Sequence, residues 1–233
     1  MGLTYAKGIH KAGLLNDKIS ILEKGEGFSQ LSKYKSSFNI HEKPDNVIAN
    51  TDIILIAVKP FHAKDVFAAI KKFTNKNQIV ISVMAGVKIS TIQKGLNLEK
   101  IVRSMPNLPA MIGKGMTAFT CSEKVTPNDE IIIEKLLKST GQAIKVNSED
   151  DIDKSTGLSG SGTAYILYFM EGLMNAAKEF GFEENDAKKI ITQTFDGAIE
   201  LFRQNELSTS EWIDKVCSKG GTTIEAINSF ETN

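Results

Sequence analysis

The sequence predicts an α/β domain followed by an all-α domain, and three observations carry that prediction. Up to about residue 148, short apolar runs alternate with helix-like stretches. Two of the runs, "IILIAV" from Ile53 and "QIVISVMAG" from Gln78, are continuous rather than alternating, the mark of strands buried on both faces. Beyond residue 148 no strand is evident, and apolar residues recur at i, i+3 and i+4. The expected boundaries are 1–149 for the α/β domain and 150–233 for the helical one.

The elements follow in order. "GLTYAKGIHKAG" reads as a helix from about Leu3, stopped by Gly13, and "KISILE" as a strand. "PDNVIAN" opens on a proline at a first-turn position, so a short helix is expected there. "TDIILIAVKP" is a strand, "HAKDVFAAIKKF" a helix, "QIVISVMAG" a strand and "KISTIQKGL" a short helix. "KIVRSMP", "GMTAFTC" and "GQAIKVN" are strands around a helix with Thr126 as N-cap and Pro127 at its first position. In the second part, "TAYILYFMEGLMNAAKEF" is a long helix ending at Gly181, apolar on much of its circumference. Such a helix needs another subunit or another domain to cover it. "ENDAKKIITQTFDGAIELFRQN" is amphipathic, "STSEWIDKVC" opens with Ser208 three residues before Glu211 as in a capping box, and "TTIEAINSF" is the last helix.

Composition excludes several classes. The 28 basic residues balance 28 acidic ones, so no net field draws the chain to nucleic acid or to a membrane surface. The longest apolar run is far too short to span a bilayer, and the first residues carry no secretory pattern. Cys121 and Cys217 form no disulfide or zinc framework, and the three histidines show no ligand spacing, so a cytoplasmic protein without a metal is expected.

Several stretches are candidates for chemistry. Glu23 ends the strand that stands second in a dinucleotide fold, where an acid meets a ribose hydroxyl; it also reads as one more exposed charge. The adjacent Lys24 could meet a 2′-phosphate. "AVKP" (Ala57, Val58, Lys59, Pro60) ends a buried strand at the edge where open α/β sheets bind ligands, or is a plain strand stop. "SVMAG", with Ala85 and Gly86, has the same two readings. Asn107 lies between two prolines as a polar contact or a satisfied loop residue. "GLSGSG" suits close helix packing or a phosphate; it lacks the preceding strand that a nucleophile elbow requires. "SKGGTT" places its lysine before the glycines and follows a helix, so it is no phosphate loop. It is a helix–Gly-Gly–helix junction, where free N–H groups of Gly221, Thr222 and Thr223 are expected to face an anion.

Taken together, "DIILIAVKP", "VISVMAGVKISTI", "VRSMPNLPAMIGKGMT", "TGLSGSGTAYI" and "VCSKGGTTIEAI" resemble pyrroline-5-carboxylate reductase, in the family's order and spacing over nearly the whole chain. The resemblance implies a Rossmann-like N-terminal domain and an all-α C-terminal dimerisation domain, in a homodimer that can assemble further into decamers. It implies hydride transfer from NADPH or NADH to 1-pyrroline-5-carboxylate, giving L-proline. By match to the family motif, Thr223 assists imine protonation, Ser218, Gly221 and Thr222 line the carboxylate, and Glu206 is a substrate-side acid. Gly2, Glu23, Lys24, Ala57–Pro60, Ala85, Gly86 and Asn107 fall to the cofactor. The family begins with a strand and G-x-G-N-M-G, of which Met1-Gly2 matches only the end, and it continues past "GGTTIEAINSFE". A Rossmann-like domain lacking its first strand is therefore expected, in a chain truncated at both ends. The alternative is a catalytically impaired relative kept as an oligomerisation module. Lys219, Thr163 and Pro44 also depart from the family's usual residues.

Overall fold

The computed structural model describes residues 1–204, 206–218 and 220–232. The chain falls into two compact units, Met1–Tyr165 and Ile166–Asn233. The first unit opens with α1 (Gly2–Lys11) and continues through β1 (Ser20–Leu22), α2 (Glu26–Leu31), β2 (Asn39–His41), β3 (Ile53–Ile56), α3 (Ala63–Ile70), β4 (Ile79–Ser82) and α4 (Ile89–Leu96). It closes with β5 (Ile101–Pro106), β6 (Gly115–Cys121), α5 (Pro127–Lys138), β7 (Gly141–Lys145) and α6 (Glu149–Ser155).

The strands form two sheets. β1 and β2 pair in parallel, and β3 to β7 form a five-stranded sheet in chain order. Among the described residues no ladder joins β1 to β3, so the sheet is split where a doubly wound fold runs its first strand. Helix α1 covers the split: its Tyr5 and Ile9 belong to the cluster against which Ile19, Ile53 and Leu55 pack. On the opposite face, Phe67 and Ile70 of α3 and Ile92 and Leu96 of α4 bury Ile56, Val80 and Ile101. Alternate residues of β4 serve the two faces, which is why its apolar run has no polar gaps.

One local expectation changes. The helix expected over 44–50 shrinks to a 3-10 turn at Ile48–Asn50, because Asp45 turns back to accept the Val47 N–H at 2.8 Å and competes with helix start. The five-stranded sheet is mostly parallel, as strand–helix alternation implies, with one antiparallel pair, β5 and β6. Only a 3-10 turn at Leu108–Ile112 connects them, too short for the crossover that a parallel pair needs.

Helix α6 rises from the acidic run "EDDIDKS", capped by Ser148, whose hydroxyl accepts the Asp151 N–H. It runs on into a π-helical turn, Thr156–Gly160. The cap of α5 is as expected: Thr126 and Asp129 bond reciprocally, with Pro127 in the first turn.

The second unit contains the body of α7 (Gly162–Glu179), then α8 (Glu184–Arg203), α9 (Thr209–Val216) and α10 (Thr222–Thr232). Phe169 meets Phe195 and Phe230 edge-on, tying α7 to α8 and α10. Ser208 and Glu211 close the capping box of α9. Of the described residues of α7 only Gly162 is buried, and Ile166, Leu167, Tyr168 and Phe169 stand exposed in succession. No helix among the described residues is long and apolar enough to cross a membrane.

Candidate functional site

Two groups of residues stand out, one in each unit. In the first unit, parallel pairing puts the ends of β3, β4 and β5 on one edge of the sheet, and with them Ala57–Pro60, Ala85–Gly86 and Asn107. Helix α1 starts there too. Gly2 approaches β3 so closely that a Cβ on it would sit 3.2 Å from Ala57 Cβ. The first bond of α1 runs from the Tyr5 N–H to the Met1 carbonyl, so the N–H groups of Gly2, Leu3 and Thr4 precede the helix ladder. No acid lies in its first turn. A helix start of this kind, backed by its dipole, receives a phosphate. Gly86 holds φ +72°, a left-handed turn that side-chain-bearing residues avoid.

Glu23 and Lys24 follow β1. One Glu23 carboxylate oxygen accepts the Lys24 N–H at 3.0 Å, and the side chain lies over Gly27 of α2. Lys24, Lys43 and Lys72 line a cavity of about 560 Å³, with Glu42 as the one acid among its described lining residues. The sequence reading singled out Lys24 and missed Lys43 and Lys72, since lysines that far apart carry no local signal.

Asn107 is held at both ends of its amide. Its oxygen accepts the Met116 N–H at 2.8 Å, and its nitrogen donates to Ser159 Oγ at 3.1 Å. It thereby fastens the π-helical turn to the β5–β6 connection. Of the three glycines of "GLSGSG" Gly160 serves that packing, since a Cβ on it would lie 3.1 Å from the Met105 methyl, whereas a Cβ on Gly157 or Gly162 would meet nothing within 4 Å.

In the second unit, α9 ends at Val216 and Ser218 begins the turn into α10. Gly220 takes φ +71°. The Gly221 N–H, expected to be free, donates to the Ser218 carbonyl at 2.9 Å. The turn closes on itself because Gly221 has no side chain: a Cβ there would collide with Ser218 Oγ. Thr222 and Thr223 open α10, Thr222 exposed and Thr223 half-buried. Lys219 lies outside the described residues. Glu206 is exposed and precedes α9, so the eight residues of that helix, about 12 Å of rise, separate it from Ser218.

Cys121 is a poor nucleophile. Burial, reinforced by the Glu130 charge, pushes the Cys121 thiol up to about 11. At pH 8 that leaves about one thiolate per thousand. Iodoacetamide at pH 8 is therefore expected to leave Cys121 unmodified in the folded chain and to label it after denaturation, as mass spectrometry would read. Rapid labelling of the native protein would contradict this. Among the described residues no three His, Cys, Asp or Glu side chains are grouped to hold a metal ion.

Two family models match the chain. One, described as pyrroline-5-carboxylate reductase dimerisation, covers residues 149–233, and one described as NADP oxidoreductase, coenzyme F420-dependent, covers residues 1–86. The pyrroline-5-carboxylate reductase of Synechocystis is 35% identical over 199 residues, which are 84% of this chain and 74% of that one. The chain belongs to the pyrroline-5-carboxylate reductase family. Pyrroline-5-carboxylate reductase 2 of Bacillus subtilis is 31% identical over 99% of this chain and 84% of its own length. The solved pyrroline-5-carboxylate reductase of Coxiella burnetii superposes with a TM-score of 0.87 at 31% identity, over 99% of this chain and 86% of that one. The Plasmodium falciparum pyrroline carboxylate reductase, solved with NADP bound, gives a TM-score of 0.86 at 28% identity, over 100% and 86%. For a pyrroline-5-carboxylate reductase, the split of the sheet between β1 and β3 and the apolar exposure of α7 are the two features that bear on cofactor and assembly. The family is one of NAD(P)H-dependent oxidoreductases, and the model matched over 149–233 is a dimerisation model, which makes this chain an oligomer-forming member.

Proposed function

We propose that this chain reduces 1-pyrroline-5-carboxylate to L-proline with NADPH or NADH, the last step of proline biosynthesis. The observation that carries the reading is 35% identity to a pyrroline-5-carboxylate reductase across 84% of the chain.

The residues present fit an anionic dinucleotide. The first-turn N–H groups of α1, beside Ala57, suit the pyrophosphate. Val58, Lys59 and Pro60, with Ala85, Gly86 and Asn107, continue the same edge. When bound, the nicotinamide supplies the hydride for the C=N carbon. The chain's own part is to position and to protonate. The start of α10 offers its Thr222 and Thr223 N–H groups and its dipole to the substrate carboxylate, with Ser218 beside them. The Thr223 hydroxyl hydrogen-bonds the ring nitrogen and assists its protonation, because a protonated imine accepts hydride far better than a neutral one. Glu206 serves as a substrate-side acid. The active form is a homodimer, with decamers as a further assembly, in the cytoplasm.

The test is direct. Purified full chain with NADPH should consume nicotinamide absorbance only when 1-pyrroline-5-carboxylate is added, and proline should accumulate in equal amount. No turnover with either nucleotide would overturn the reading.

The lysines around Lys24 favour NADPH over NADH, since a 2′-phosphate placed there gains charge-assisted bonds. Lys24→Ala is expected to raise KM for NADPH roughly fivefold and to leave KM for NADH unchanged. Equal effects on both nucleotides would remove Lys24 from the 2′ position.

A further inference from the structure

We propose that Arg103 and Glu149 are positioning residues for the cofactor turn Ala85–Gly86, acting through the N-terminus of α4. The inference rests on the reading of that turn as a cofactor contact.

Arg103 sits on β5, in the interior of the five-stranded sheet, paired in register with Ser82 of β4 and Thr120 of β6. Its side chain is 1% exposed. A guanidinium does not shed its charge on burial, so it must be paired. Its Nη1 donates to Glu149 Oε1 at 3.3 Å, and its Nη2 is bonded to Asp153. Two charge-assisted bonds, one to each carboxylate, tie α6 to the interior strand β5 at its first residue and one turn on.

The same Glu149 oxygen has a second partner. It accepts the Ile89 N–H at 2.8 Å. Ile89 is the first residue of α4, and the helix's own N-cap, Lys88, contributes no side-chain cap bond. Glu149 therefore caps α4 from another element, with its negative charge at the positive end of the helix. Only Val87 and Lys88 separate Ile89 from Gly86, whose φ of +72° ties the turn to a narrow conformation. Where α4 begins thus decides where the Ala85–Gly86 backbone lies. The path runs from β5 through Arg103 and Glu149 to the helix start and the turn, by bonds rather than by general packing. The Arg103 Nε–H is buried without a partner among the described residues, so the Glu149 and Asp153 carboxylates, with the Glu149 backbone carbonyl 3.5 Å from Nη1, hold the guanidinium in orientation.

Three variants of the full chain test this: Glu149→Gln, Glu149→Ala and Arg103→Lys. NADPH affinity is read by isothermal titration, KM for NADPH and for 1-pyrroline-5-carboxylate by steady-state kinetics, and stability by thermal unfolding. Glu149→Ala and Arg103→Lys are expected to weaken NADPH binding about tenfold, the loss of one charge-assisted hydrogen bond. Glu149→Gln keeps an oxygen for the Ile89 N–H and is expected to weaken it only about threefold. KM for the pyrroline substrate should stay within about twofold in all three. A lowered unfolding temperature with unchanged NADPH affinity, or equal rises in both KM values, would overturn the inference and leave the reductase reading standing. Failure of the wild-type chain to bind NADPH would overturn the cofactor reading itself, and the inference with it. Should Arg103→Lys fail to fold, the Glu149 pair still decides, because that side chain is 26% exposed and its amide is nearly isosteric.

Discussion

Thr223→Val is expected to lower kcat about 100-fold while leaving KM for NADPH unchanged. Valine keeps the β-branched shape of threonine and removes only the hydroxyl, so the first turn of α10 and its N–H groups stay in place. On the proposed role of Thr223, what is lost is the group that would hydrogen-bond the imine nitrogen as hydride arrives, an interaction felt in the transition state more than in the ground state. KM for the pyrroline substrate should therefore rise much less than kcat falls, because the carboxylate keeps its amide donors. Thr223→Ser should recover most of the rate, since it restores the hydroxyl at the cost of one methyl group. Steady-state kinetics on both variants, with circular dichroism to verify helix content, checks this. A valine variant within about threefold of wild-type kcat would remove Thr223 from the chemistry and leave α10 as a carboxylate seat only.

The second large effect concerns assembly. Tyr168→Glu is expected to convert the oligomer to monomers at micromolar concentration and to abolish turnover. Tyr168 is 78% exposed within its own chain and stands among Ile166, Leu167 and Phe169, all exposed as well. Apolar exposure around so much of a helix's circumference marks an interface, and the family model matched over 149–233 is a dimerisation model. A carboxylate there keeps its hydration only if the interface stays open, so association should weaken on the order of 100-fold. The monomer itself should fold as before, because the Phe169 contacts with Phe195 and Phe230 are untouched. Analytical ultracentrifugation with parallel activity measurement decides. A variant that sediments as the wild type at equal concentration would move the interface off this face of α7.

Much of the fold was legible because its signals are local. A capping box needs four consecutive residues, and both Thr126 to Asp129 and Ser208 to Glu211 bond as the pattern demands. The unbroken apolar run of β4 required burial on both faces, and α1, α3, α4 and α5 supply it. Helix α6 was legible only at its start, where Ser148 and the acids after it make a cap and an acidic first turn; the glycines and serines that follow carry little helix signal. It is helical because Arg103 and Asn107 hold it and its π-helical continuation against β5.

The candidate site divides in the same way. The sequence by itself determined which residues stand at strand ends and helix starts, because those positions follow from periodicity and from Gly, Pro and hydroxyl placement. It also determined that Gly220 and Gly221 break the path between α9 and α10. Only the tertiary structure decided that the Gly221 N–H turns inward to Ser218, that β5 and β6 run antiparallel, and that Arg103 caps α4 by way of Glu149. The reason is range and direction. Arg103 and Glu149 are 46 residues apart, and Ile89 and Glu149 are 60, so no window of sequence holds both partners. A glycine turn announces that the backbone bends, and packing alone settles which way its N–H points.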